Sequence, residues 1–157
     1  MSSKTVLSAL AITAALASTA TAGNITAANP QSLMDFFTSE GAPAKLVEDN
    51  VGDPKIELKH YDTNFAVYFY GCDNGKSCDA VQFFSGYGTE GEVAIAKINS
   101  WNTDRRFGRA YLTDEGNARV EYDIYTGADG VSSEDFSEMF EIWVDLMGKF
   151  EDHIEWE

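Results

Sequence analysis

The sequence predicts a single α+β domain with the element order α-β-β-β-β-α-β-β-α. Three observations predict it. Apolar residues recur at helical spacing in three stretches, one near each end of the region 29–157 and one in the middle. Between them lie short runs rich in aromatic and β-branched residues. Turn signals separate those runs closely enough to make antiparallel hairpins. The 157 residues suffice for one domain.

The first 22 residues read as a separate segment. Lys4 is their only charge, an apolar stretch follows at 6–16, and Ala20-Thr21-Ala22 supplies the small-x-small pattern of a signal peptidase site. The expectation is a cleaved leader, cut after Ala22, and a periplasmic or secreted protein. The apolar stretch is too short to remain as a membrane span, so no membrane anchor is expected. Residues 23–28 are small and polar and read as a flexible start.

The elements then follow in order. Asn29-Pro30 reads as a helix N-cap with proline in the first turn, and Leu33, Met34, Phe36 and Phe37 share a helical face that ends at Gly41 and Pro43. Residues 44–48 make a short strand, stopped by Asn50-Val51-Gly52-Asp53-Pro54. Residues 55–60 alternate apolar and polar. Residues 64–71 and 80–87 form a hairpin whose turn carries Cys72 and Cys78, a pair that should join as a disulfide in an oxidising compartment. If Cys72 faces Cys78, Tyr70 lies opposite Ala80, Tyr68 opposite Gln82 and Ala66 opposite Phe84. Phe65, Val67, Phe69, Val81 and Phe83 then line the opposite, more apolar face, which should be the core. Tyr68, Tyr70 and Phe84 stay on the outer face as a candidate contact patch.

Residues 92–101 read as a helix with Val93, Ala94, Ile98 and Trp101 on one side. Residues 107–113 and 117–125 form a second hairpin around Asp114-Glu115-Gly116, with Gly116 in the left-handed position; Arg109 lies opposite Glu121, and Tyr111 opposite Arg119. Ser132 and Asp135 form a capping-box variant that opens a long helix. Its stripe is Phe136, Met139, Phe140, Trp143, Leu146, Met147, Phe150 and Ile154, a pattern of core burial.

Composition narrows the function. The chain has 26 acidic and 11 basic residues and a net charge of −15; without residues 1–22 one base and no acid is lost, leaving −16. Nucleic acid and anionic lipid surfaces would be repelled. Gly86, Gly88 and Gly91 spell G-x-G-x-x-G, but Glu90 and Glu92 occupy the same turn and would repel a pyrophosphate. The preceding strand also belongs to an antiparallel hairpin, so the glycines read as a strand-to-helix turn. Asp73-Asn74-Gly75 and Asp114-Glu115-Gly116 lack the ligand spacing of a calcium loop. The two histidines, His60 and His153, sit in no nucleophile or zinc motif. No catalytic residue, cofactor or metal site is expected.

One stretch carries a family likeness. Ile98-Asn99-Ser100-Trp101-Asn102-Thr103-Asp104-Arg105-Arg106-Phe107-Gly108-Arg109-Ala110-Tyr111-Leu112 resembles the I-N-x-W-N-x-x-x-R-F-x-R-A-Y-L signature of the YbjN family, described as bacterial sensory transduction regulators. The aromatic F-Y-G-C at 69–72 and the V-S-S-E-D-F that opens the last helix agree, and the likeness covers most of 29–154. The resemblance implies a fold similar to type III secretion chaperones, an antiparallel sheet with helices packed on one face. It implies regulation and protein contact, and assigns no catalytic residues. The leader sets this chain apart from the better-known cytosolic members.

Within the signature, Asn99, Trp101, Asn102, Arg106 and Phe107 read as an architectural joint. Trp101 would plug the helix against the sheet, the asparagines would satisfy backbone groups, and Arg106 and Arg109 would pair with nearby acids. The competing reading gathers Arg105, Arg106, Arg109 and Arg119 into one basic patch. The expectation is an exported, non-catalytic interaction or regulatory module. Its contact surface would be Tyr68, Tyr70, Phe84, Arg109 and Tyr111, and its partner a protein, with a second copy of the chain among the candidates. The alternative is an envelope protein that holds a small ligand or a cation between sheet and helices.

Overall fold

A computed structural model describes residues 24–156. The leader proposed at 1–22 lies outside them. The elements are α1 (Pro30–Ser39), β1 (Ala44–Glu48), β2 (Pro54–His60), β3 (Thr63–Tyr70), β4 (Ala80–Tyr87), α2 (Ile95–Asp104), β5 (Arg109–Leu112), β6 (Ala118–Tyr125) and α3 (Ser133–Ile154), the order the sequence predicts. The six strands form one antiparallel sheet, ordered β1-β2-β3-β4-β6-β5.

Both hairpin registers agree with expectation. Tyr70 lies opposite Ala80, Tyr68 opposite Gln82 and Ala66 opposite Phe84. Arg109 lies opposite Glu121 and Tyr111 opposite Arg119. The alternation of apolar and polar residues fixes these pairings, because a slip of one residue would turn every aromatic core side chain to water. Cys72 and Cys78 are bonded across the β3–β4 connection. Gly116 takes its left-handed conformation, φ 79°.

The core lies between the inner sheet face and the helices. Phe83 of β4 stacks on Trp143 of α3, with ring centroids 5.5 Å apart. Phe36 and Phe37 of α1 meet Phe136 and Phe140 of α3 edge-on. Every residue of the α3 stripe is buried except Met139, which is half-buried. The Ser132 hydroxyl accepts the Asp135 N–H at 3.0 Å and donates to the Asp135 carboxylate at 2.7 Å, a variant of the capping box in which the return bond runs to the hydroxyl.

Three local expectations change. Asn29 stands at the N-cap of α1, but its side chain makes no capping bond; its carbonyl instead takes the Ser32 N–H and hydroxyl. Helix α2 begins at Ile95 rather than 92 and runs on to Asp104, because Glu92 N–H closes a turn on Thr89 and Ala94 is extended. Val93 is buried from that turn, which is why it mimics a helical stripe residue. Residues 24–28, small and polar enough to suggest a frayed start, are tied down. Ile25 pairs backbone to backbone with Val131, Ala27 N–H donates to the Thr126 hydroxyl, and Ile25 and Ala27 are both buried.

Candidate interaction surface

The outer face of the sheet is built by the side chains that alternate away from the core: Lys55 and Glu57 on β2, Ala66, Tyr68 and Tyr70 on β3, Gln82, Phe84 and Gly86 on β4, Arg119, Glu121 and Asp123 on β6, and Arg109 and Tyr111 on β5. All five residues expected of a contact surface therefore share this face. It carries two arrangements side by side.

The first is a polar cluster around Glu121. That carboxylate is only 5% exposed. Arg109 reaches it with both Nε, at 2.9 Å, and a terminal nitrogen. The Tyr111 hydroxyl donates to its other oxygen at 2.8 Å. Gln82 Nε2 bridges to Asp123 at 2.7 Å, and the Tyr70 hydroxyl donates to Gln82 Oε1 at 3.3 Å. A buried carboxylate is stable here because each of its oxygens finds a donor, one of them charged. Hydrogen bonding to Glu121 and its charge hold the Arg109 guanidinium above its ordinary pKa. Burial, then Glu121, does the same for the Tyr111 phenol. Arg109 is thus matched within the chain, as cross-strand reach predicts.

The second arrangement is an aromatic row capped by cations. Tyr68 and Phe84 meet edge to face at 5.5 Å. Lys55 Nζ sits 5.3 Å from the Tyr68 ring and the Arg119 guanidinium 5.6 Å from the Phe84 ring. Gly86 makes room for this: a Cβ there would fall 2.1 Å from an Arg119 terminal nitrogen. The glycine lets the guanidinium cross β4 close to its backbone. These residues, with Asn64, line an open groove of about 410 Å³.

Gly86 is also the first glycine of G-x-G-x-x-G, so that motif has a structural explanation. Gly91 N–H donates to the Gly116 carbonyl at 3.0 Å, and a Cβ on Gly116 would collide with the Gly91 backbone at 2.6 Å. The glycines bring two turns together and leave the helix start four residues away at Ile95.

The signature segment behaves mostly as a joint. Trp101 is 1% exposed. Its ring partners belong to α3, Phe150 at 5.0 Å and His153 at 5.5 Å, so the side chain packs α2 against α3. Asn102 binds both backbone groups of Ala110, accepting its N–H at 2.8 Å and donating to its carbonyl at 2.9 Å. It stands where a seventh strand would add to the β5 edge. Asn99 corrects the expectation: it is exposed, and its side chain makes no hydrogen bond among the described residues. Arg106 likewise is exposed, with no ion pair among the described residues. Phe107 is 44% exposed and leans on Tyr122. The four arginines do not gather. Arg105 lies over Trp101 and lines a groove with Arg106 against α3, while Arg109 and Arg119 belong to the sheet face.

Sequence reasoning missed Lys55 and the full role of Arg119. Lys55 was legible as an outward residue opposite Tyr68. The placing of Arg119 over Phe84 depends on β4 pairing with β6, which local pattern does not announce.

Among the described residues, no helix is long and apolar enough to cross a membrane. No curated protein matches the chain in sequence. A family model for YbjN, described as "Putative bacterial sensory transduction regulator", matches residues 29–156, the whole of the folded unit set out above. With that match over most of its length, the chain belongs to the YbjN family.

Proposed function

We propose that this protein is an exported, non-catalytic regulatory module that works by binding a protein partner across its outer sheet face. The observation that carries the reading is the pairing of Tyr68 with Phe84, flanked by Tyr70 and Tyr111 at 48% and 38% exposure, on the side of the sheet away from the α1–α3 core. Half-exposed aromatics on a rigid sheet supply contact area at little entropic cost, as interface cores require. A family of regulators fits a binding role. The Cys72–Cys78 disulfide and the leader pattern at 1–22 favour an oxidising compartment outside the cytoplasm. The absence of a nucleophile motif in the sequence favours binding over chemistry.

The test is affinity capture from envelope extract with the wild type and the Tyr68→Ala/Phe84→Ala double variant, with light scattering to follow self-association. The wild type should retain a partner, or a second copy, that the variant loses. If both proteins capture the same partners and have the same mass in solution, this face is not the interface.

A second reading is a small-ligand protein. The space between sheet and helices is filled by aromatic rings, so the observation favouring it is the groove beside Lys55, Tyr68 and Phe84. A ligand that binds the native state there would raise the melting temperature with concentration.

A further inference from the structure

The charge of this protein is divided unevenly between its two sides. The outer sheet face carries Lys45, Lys55, Lys59, Arg109 and Arg119 against Glu57, Glu121, Asp123 and, beside Lys59, Asp62, an excess of one positive charge on a chain whose total is −15. Helix α3, on the other side, carries Glu134, Asp135, Glu138, Glu141, Asp145, Glu151 and Asp152 against one Lys149. The excess on the sheet is not evenly available. Arg109 is matched by Glu121, Lys59 by Asp62 and Lys55 by Glu57. Arg119 has no carboxylate within ion-pair distance among the described residues. Yet its guanidinium is held in place, 5.6 Å from the Phe84 ring and in the space that Gly86 leaves. A guanidinium without a carboxylate partner keeps its planar donor fork free to receive one in bidentate fashion.

Resting on the reading of this face as an interface, we propose that the groove at Arg119 is the docking site for an acidic segment of a protein partner. A partner carboxylate is received by the Arg119 guanidinium, with the Asn64 amide and Lys55 along the same groove, and apolar partner atoms lie on Tyr68 and Phe84. Charge complementarity selects that occupant. A basic partner would meet the one cationic side of the molecule, and a second copy approaching with its α3 face would bring the opposite charge but also the repulsion of two strongly acidic chains.

The test uses the purified protein and a fluorescein-labelled hexaglutamate peptide, with hexaglutamine and hexalysine peptides as controls, followed by anisotropy at low and moderate salt. Hexaglutamate should bind and weaken as salt rises. Arg119→Gln should weaken it about ten-fold or more, as expected for loss of a hydrogen bond between charged groups. Arg106→Gln, which removes an equal charge away from the sheet, should have little effect. Arg119→Lys, which keeps the charge and loses the planar fork, should fall between. Circular dichroism checks that each variant is folded. Hexaglutamate binding that Arg119→Gln and Arg106→Gln weaken equally would overturn the site, as would preference for hexalysine, no binding, or binding only to phosphatidylglycerol vesicles. Capture from envelope extract separates the two readings. If Tyr68→Ala/Phe84→Ala loses the partner while Arg119→Gln keeps it, the face is an interface and the acidic docking site falls. If neither variant loses a partner, both fall.

Discussion

Phe83 and Phe84 are neighbours in β4, one side chain on each face of the sheet. Phe83 is fully buried, stacked on Trp143 and within 6.3 Å of Phe37, Phe65, Phe136 and Phe140. Phe84 is half-buried, touching Tyr68 on one side and the Arg119 guanidinium on the other. The same residue type is packing material in one place and part of an addressable surface in the other. The two-residue period of a strand makes that division possible without any change in backbone.

The comparison can be broken most severely from the inside. Phe83→Ala should destabilise the fold by about 3–5 kcal/mol, because the ring's contacts are lost and the surrounding aromatics cannot all collapse into the void. Denaturant unfolding measures this, and a loss no greater than that of Phe84→Ala would mean that the inner face is not the core. Next in size is the disulfide, which joins the two strands that carry both faces. Cys72→Ser with Cys78→Ser, or reduction, should cost about 2–3 kcal/mol through the freedom returned to the unfolded chain. A midpoint unmoved by reductant would show that the bond is not formed in solution.

Phe84→Ala should cost less than Phe83→Ala, about 1–2 kcal/mol, because only part of the ring's area is buried, while removing the proposed contact. Smallest at neutral pH, and visible only in alkali, is the effect of the tyrosines. Burial, with the Glu151 carboxylate adding to it, pushes the Tyr87 phenol on the inner face well up; Tyr70 and Tyr111 on the outer face are also raised. A phenol whose folded pKa is raised keeps its full contribution below its ordinary pKa of about 10 and loses it as pH climbs through the folded value. Stability should therefore fall above about pH 10. The tyrosinate absorbance that Tyr87→Phe removes should appear together with loss of ellipticity. Ionisation of Tyr87 in a protein with native ellipticity would contradict its buried placement.

Much of this molecule was legible before any coordinates. The alternation in 64–71 and 80–87 determined which aromatics face inward. The cysteine pair and the Asp-Glu-Gly turn set two hairpin registers, and the stripe from Phe136 to Ile154 determined the long helix and its buried side. These are local or near-local properties, written at spacings of two, three and four residues. Five surface residues could be put on one face by the same rule.

Tertiary structure decided the rest, wherever contacts join positions far apart in the chain. Nothing local in 24–28 reveals that Ile25 will pair with Val131. Asn99 and Asn102 look alike in sequence, and only the approach of β5 gives Asn102 a backbone to bind. The direct pairing of β4 with β6 leaves α2 and β5 as an excursion. That pairing sets Arg119 beside Phe84 over a bare glycine, so a position read as a turn becomes the cradle of a guanidinium. Period and turn chemistry act between neighbours and can be read from the chain itself. Which strands meet depends on how the whole apolar surface is buried at once, and that is settled only in the folded molecule.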